Sequence, residues 1–150
     1  MSIIAIDPGT AHTGIVYMDE RRIICCKTIA YKSTVKQDQD ALKARAEAIA
    51  AQISDWMADK PHERIVMEGF VGYTGKQGGY AFQTPYLCGY LHAALSGEEI
   101  VIQTSRQVLN PKTRGNVAKL KATTFAGLSN DHLRSAACHG AYYYKHLEDA

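Results

Sequence analysis

Two short apolar runs, each ending in an acid and a glycine, constrain this chain more than any other feature. The first reads Ile3-Ile4-Ala5-Ile6-Asp7-Pro8-Gly9-Thr10 and continues as Thr13-Gly14-Ile15-Val16-Tyr17. The second reads Arg64-Ile65-Val66-Met67-Glu68-Gly69. Short apolar runs bounded by turn residues are buried strands. Pro8 and Gly9 turn the chain tightly, so a second strand returns beside the first. A carboxylate is unfavourable inside a strand unless it is paired or bound to a cation. Two strands that each deliver one to a rim predict a divalent-cation site built across neighbouring strands.

The remaining pattern predicts where those strands sit. Residues 2–7, 13–19 and 22–30 read as three consecutive strands whose short connections make them antiparallel neighbours. Over 37–59, Leu42, Ala46, Ile49, Ile53, Trp56 and Met57 recur at helical spacing, and Pro61 stops the helix. A fourth strand spans 64–68. A glycine- and tyrosine-rich loop follows from Gly69 to Tyr80. Residues 82–95 are helical, with Pro85 tolerated in the first turn. A fifth strand covers 99–104, two short helices flank a basic loop, and a last helix covers about 130–146. The order β-β-β-α-β-α-β-α is α/β: a mixed five-stranded sheet, antiparallel then parallel, with helices on both faces and a right-handed crossover. Asp7 and Glu68 then lie on central neighbouring strands.

At 150 residues, with no repeat or linker, the chain reads as one domain able to bury a real core. No apolar run approaches the roughly 20 residues needed to span a bilayer, and no basic-then-apolar leader opens the sequence; a cytoplasmic location is expected. Cys25, Cys26, Cys88 and Cys138 form no CxxC pair and read as small hydrophobes kept reduced. The net charge of +2 hides an asymmetry: Val101 to Leu128 holds no Asp or Glu but carries Arg106, Lys112, Arg114, Lys119 and Lys121. A basic segment between acidic site residues suits a polyanion, since cations neutralise phosphates while metals do the chemistry.

A third acidic locus opens the last helix as Asn130-Asp131-His132-Leu133-Arg134-Ser135-Ala136-Ala137. Asn130 is a fitting N-cap. One helical face can present Asp131 or His132 together with Ser135. Small residues Ala136, Ala137 and Gly140 let this helix approach the sheet, bringing Asp131 or His132 towards Asp7 and Glu68. Such a donor set suits Mg²⁺, singly or as a pair about 4 Å apart. His139 and His146, further along, read as surface or packing histidines.

Ile-Ala-Ile-Asp-Pro-Gly-Thr-Ala-His-Thr-Gly at the start, the later Val-Met-Glu, and the terminal Asn-Asp-His-x-x-Ser-Ala helix together resemble the RuvC-type Holliday-junction resolvases of the RNase H-like superfamily. The short chain and divergent third motif look most like bacteriophage versions. The resemblance implies a homodimeric endonuclease, dependent on Mg²⁺ or Mn²⁺ and holding two ions per site, that nicks two strands of a four-way DNA junction symmetrically. Asp7 matches the first-strand aspartate and Glu68 the central-strand glutamate. The family's last helix carries an acid or histidine, then an aspartate three positions on, then alanine. Ala136 fits the alanine and His132 the first position, but Ser135 stands where the aspartate is expected. Either Asp131 or His132 is left to replace the absent acid.

The resemblance also extends to contacts with DNA. Phe70 and Tyr73 follow Glu68 as an aromatic loop that stacks at the junction, where each base is worth about 1–3 kcal/mol, and Lys76 offers a phosphate contact. Arg106, Lys112, Arg114, Lys119 and Lys121 lie in the family's basic stretch. Lys119 is similar to its lysine after a glycine turn, a phosphate contact and transition-state stabiliser. Leu109 stands where a second family lysine is expected. Residues 82–95 supply core and dimer contacts. Alternatives are a catalytically weak or inactive junction-binding protein, an RNase H-like RNA-processing nuclease, and an Asp-x-Gly-Thr phosphate-loop ATPase. The last needs a second such domain and is disfavoured by length.

Overall fold

The computed structural model describes residues 1–9, 11–20, 22–31, 39–69, 83–104, 108, 128 and 131–148. Its elements follow the expected order: β1 (Ser2–Asp7), β2 (His12–Asp19), β3 (Arg22–Ala30), α1 (Gln39–Met57), β4 (Arg64–Gly69), α2 (Gln83–Ala94), β5 (Ile100–Thr104) and α3 (Asp131–Glu148). The short helices expected between β5 and α3, the loop from 70 to 80, and every candidate DNA contact on them (Phe70, Tyr73, Lys76, Arg106, Lys112, Arg114, Lys119 and Lys121) lie outside the described residues. Among the described residues, no helix is long and apolar enough to cross a membrane.

The sheet order is β3-β2-β1-β4-β5. β1 pairs antiparallel with β2, and β2 with β3. β1 pairs parallel with β4, and β4 with β5. The β2–β3 turn is short enough to force Glu20 to a φ of 46°. Strand alternation divides the side chains between two cores. Ile4, Ile6, Ile65 and Met67 face α1 and α2, where Ile49, Ile53, Leu87 and Leu91 close over them. Ile3, Ala5 and Val66 face α3, with Leu133, Ala136, Ala137 and Cys138. Fully burying one such aliphatic side chain contributes about 1.5–3 kcal/mol.

α3 is tied to the sheet at several heights. Near its C-terminal end Tyr144 Oη donates to the Met1 carbonyl at 2.6 Å and to the Met18 carbonyl at 3.3 Å. In its middle Gln103 Nε2, from β5, donates to the His139 carbonyl at 2.9 Å. As the small residues predicted, close approach is possible because Ala136 and Ala137 are fully buried and a Cβ at Gly140 would meet the Met18 Sδ. The cysteines carry no disulfide: Cys88 and Cys138 are buried, whereas Cys25 and Cys26 are half-buried on β3.

Candidate functional site

The parallel register of β1 and β4 places Ile6 opposite Met67. One step further puts Asp7 beside Glu68, at the C-terminal rim of the two central strands and on the face covered by α3. The Asp7-Pro8-Gly9 turn is clasped by Thr13, whose buried hydroxyl accepts from the Gly9 amide at 3.3 Å and donates to the Gly9 carbonyl at 3.1 Å. The turn after Asp7 is therefore tied to the start of β2.

The N-terminal turn of α3 closes the site. His132 Nδ1 lies 3.1 Å from Asp7 Oδ2, and its ring stacks against His12 with centroids 6.0 Å apart. Gly14 makes this possible: a Cβ there would stand 2.5 Å from the His132 carbonyl carbon and 2.8 Å from the Leu133 nitrogen. Ser135, one turn on, lies beside Glu68, its hydroxyl favouring the ionised carboxylate. The structure thus brings together Asp7, Glu68, His132 and Ser135. The side chain of Asp131 lies outside the described residues, as does Lys119.

His139, expected to be a surface or packing histidine, is a buried one beside Glu68. The ring is fully buried, and its Nε2 lies 3.9 Å from Glu68 Oε2. Residues 132, 135 and 139 follow the i, i+3, i+7 spacing of one helical face, a pattern that groups the three without saying which strand they meet. His146 is exposed, its ring tilted against Tyr142 with centroids 4.9 Å apart.

Charge at the rim is poorly solvated. Burial, and then the neighbouring Asp7 carboxylate, push the Glu68 carboxyl up to about 9, opposed by the Ser135 hydroxyl. Burial pushes His139 down to about 4, so its imidazole is neutral at neutral pH. Cys88 on α2 feels the same acids: burial first, then Glu68 and Asp7, push its thiol up to about 12.

The Glu68 shift makes stability pH-dependent. The folded protein keeps a proton that the unfolded chain releases above its ordinary value of 4.5. Stability is therefore full at low pH and lost as pH rises towards 9. His139 acts with the opposite sign, its contribution being lost as pH falls from 6.5 towards 4. Urea unfolding of the metal-free protein is expected to show a loss of roughly 2 kcal/mol between pH 7 and 9. Glu68→Gln should flatten that limb; an unchanged slope would place its origin elsewhere.

Among the described residues, no three His, Cys, Asp or Glu side chains form a ready metal cage. The donor chemistry nonetheless fits a divalent cation. Two adjacent carboxylates that cannot both ionise comfortably are relieved by a shared positive charge, and a buried imidazole beside them has no hydrogen-bond partner at either nitrogen among the described residues.

No family model matches the chain, and no curated protein sequence matches it. Solved structures do match. The Thermus thermophilus RuvC in complex with Holliday junction substrate superposes with a TM-score of 0.77 at 17% identity, covering 100% of this chain and 97% of that one. This chain has the RuvC fold. A second Thermus thermophilus RuvC structure gives 0.70 at 14% identity, over 99% and 97% of the two chains. The yeast mitochondrial Holliday junction resolvase Ydc2 gives 0.60 at 14% identity, over 98% of this chain and 81% of that one. The expected RNase H-like mixed sheet, RuvC-type in its connections, is thus the observed fold, shared along its whole length at identities too low to carry residue roles.

Proposed function

We propose that residues 1–150 form a single nuclease domain that resolves four-way DNA junctions by divalent-metal-dependent phosphodiester hydrolysis. The observation that carries this reading is Asp7 beside Glu68 on the central strands of a RuvC fold, with His132 held 3.1 Å from Asp7 by the covering helix. Asp7 and Glu68 would hold the cations, Mg²⁺ or Mn²⁺, with His132 and Asp131 contributing from α3. Bound there, such cations would supply positive charge against the phosphate and lower the pKa of a water nucleophile.

The chain's own groups set the geometry. Thr13 fixes the turn after Asp7, and His132 orients the Asp7 carboxylate. Ser135, on α3, favours the ionised Glu68 carboxylate. In-line hydrolysis leaves a 5′-phosphate and a 3′-hydroxyl. Lys119 contacts the scissile phosphate, while Arg106, Lys112, Arg114, Lys121 and Lys76 neutralise flanking phosphates. Phe70 and Tyr73 stack on bases at the exchange point. A homodimer fits paired symmetric nicks, since a junction offers two equivalent strands. The outer face of α2, where Tyr86 is 38% exposed and stacks edge-on against Tyr90, supports a dimer contact there. The proposed site of action is the cytoplasm.

The test is incubation with end-labelled four-way junction, linear duplex and structured RNA, in Mg²⁺, Mn²⁺ or Ca²⁺. Junction cut at opposed strands, with duplex and RNA intact, is expected. Cleavage of RNA instead would favour an RNA-processing nuclease. Junction binding without cleavage in any metal would make the protein a non-catalytic binder.

A further inference from the structure

We propose that His139 is a metal ligand in this site, its Nε2 standing in for the carboxylate that Ser135 does not provide. The inference rests on the metal-dependent reading above and adds a residue to it. His139 is fully buried, and neither Nδ1 nor Nε2 has a hydrogen-bond partner among the described residues. An unpartnered buried polar atom costs about 1–3 kcal/mol, which calls for a compensating role. Among the described residues, no polar side chain reaches either ring nitrogen within hydrogen-bond distance. The ring instead lies beside an acid, with Nε2 3.9 Å from Glu68 Oε2.

That separation is too long for a hydrogen bond. It is right for two ligands of one ion: donors each about 2.1 Å from a cation stand roughly 3.0–4.2 Å apart, from cis to trans. The ring's position is also enforced. Gln103, paired beside Glu68 in the strand register, binds the His139 carbonyl at 2.9 Å and sets the height of the helix there. A nitrogen ligand shifts the preference from Mg²⁺ towards Mn²⁺ and other transition ions.

The experiment is pulsed electron paramagnetic resonance on Mn²⁺ bound to the full chain, reading the coupling from a directly coordinated imidazole ¹⁴N. The background is His12→Gln/His132→Gln, which removes the other ring nitrogens near Asp7. Directly bound ¹⁴N is expected to persist in this background and to vanish when His139→Gln is added. In the otherwise wild-type chain, His139→Gln should weaken Mn²⁺ binding about tenfold or more while changing Mg²⁺ binding less than about twofold; a packing role would move both metals together. If His139→Gln does not fold, the background variant alone decides. Mn²⁺ bound there, lost with Asp7→Asn, but without ¹⁴N coupling would overturn the role of His139 and leave the nuclease reading standing. No Mn²⁺ bound by the wild-type chain would overturn both.

Discussion

Asp7→Asn is expected to lower junction cleavage about a thousandfold or more while leaving junction binding in Ca²⁺ within about twofold. A shared carboxylate that holds cations against the scissile phosphate supplies several kcal/mol of transition-state stabilisation, and about 4 kcal/mol corresponds to a thousandfold in rate. Asn keeps the shape of Asp7 and can still meet His132 Nδ1, which lies 3.1 Å from Oδ2. It removes the charge that a cation needs. The same change removes the carboxylate that helps push Glu68 up to about 9, so the metal-free variant should be no less stable than the parent at pH 8. Single-turnover cleavage, filter binding and urea unfolding check the three parts. Wild-type cleavage by the variant would reject the site, and loss of stability would mean that the rate loss reports misfolding.

Gly14→Ala is expected to cost about 3 kcal/mol or more and to abolish metal binding and cleavage together. The added methyl would sit 2.5 Å from the His132 carbonyl carbon, 2.6 Å from its oxygen and 2.8 Å from the Leu133 nitrogen. These are backbone atoms, which cannot swing aside, so α3 must move off the sheet. Overpacking against a rigid neighbour costs about 1–3 kcal/mol, occasionally more, and the melting temperature should fall by roughly 6–12 °C. The displaced helix carries His132, Ser135 and His139 away from Asp7 and Glu68. Gly140→Ala is the comparison. Its methyl would meet the Sδ of Met18, a fully buried but unbranched side chain that can repack where backbone cannot, and alanine favours the helix by about 1 kcal/mol. Its cost should be clearly smaller than that of Gly14→Ala. Equal losses in both variants would show that general crowding of the helix, rather than the contact at Gly14, matters.

Much of the fold was legible because its signals are local. Ile3 to Ile6 and Ile65 to Met67 are short apolar runs, and their partner β2 follows β1 after a turn that Pro8 and Gly9 dictate. β1 and β3 begin and end at the predicted residues, and the other strands shift by one residue at an end. Asp7 and Glu68 announced themselves as acids where strand residues are otherwise apolar. Position 135 was legible as a departure, a serine where the resemblance leads one to expect an acid. His139 was not: a histidine amid Ala136, Ala137 and Gly140 has the pattern of a packing residue, and helical spacing alone does not say which strand its face meets.

The sequence by itself determined the order of elements, the sheet's mixed character and the placing of one acid at the end of each central strand. These depend on side-chain period and turn chemistry within a few residues. The tertiary structure decided that His132 reaches Asp7, that Ser135 lies beside Glu68, and that His139 ends near the same carboxylate. Those outcomes depend on the height and rotation of α3. Gly14, Gln103 and Tyr144 set both, from positions distant in the chain, and no local pattern encodes how such contacts combine.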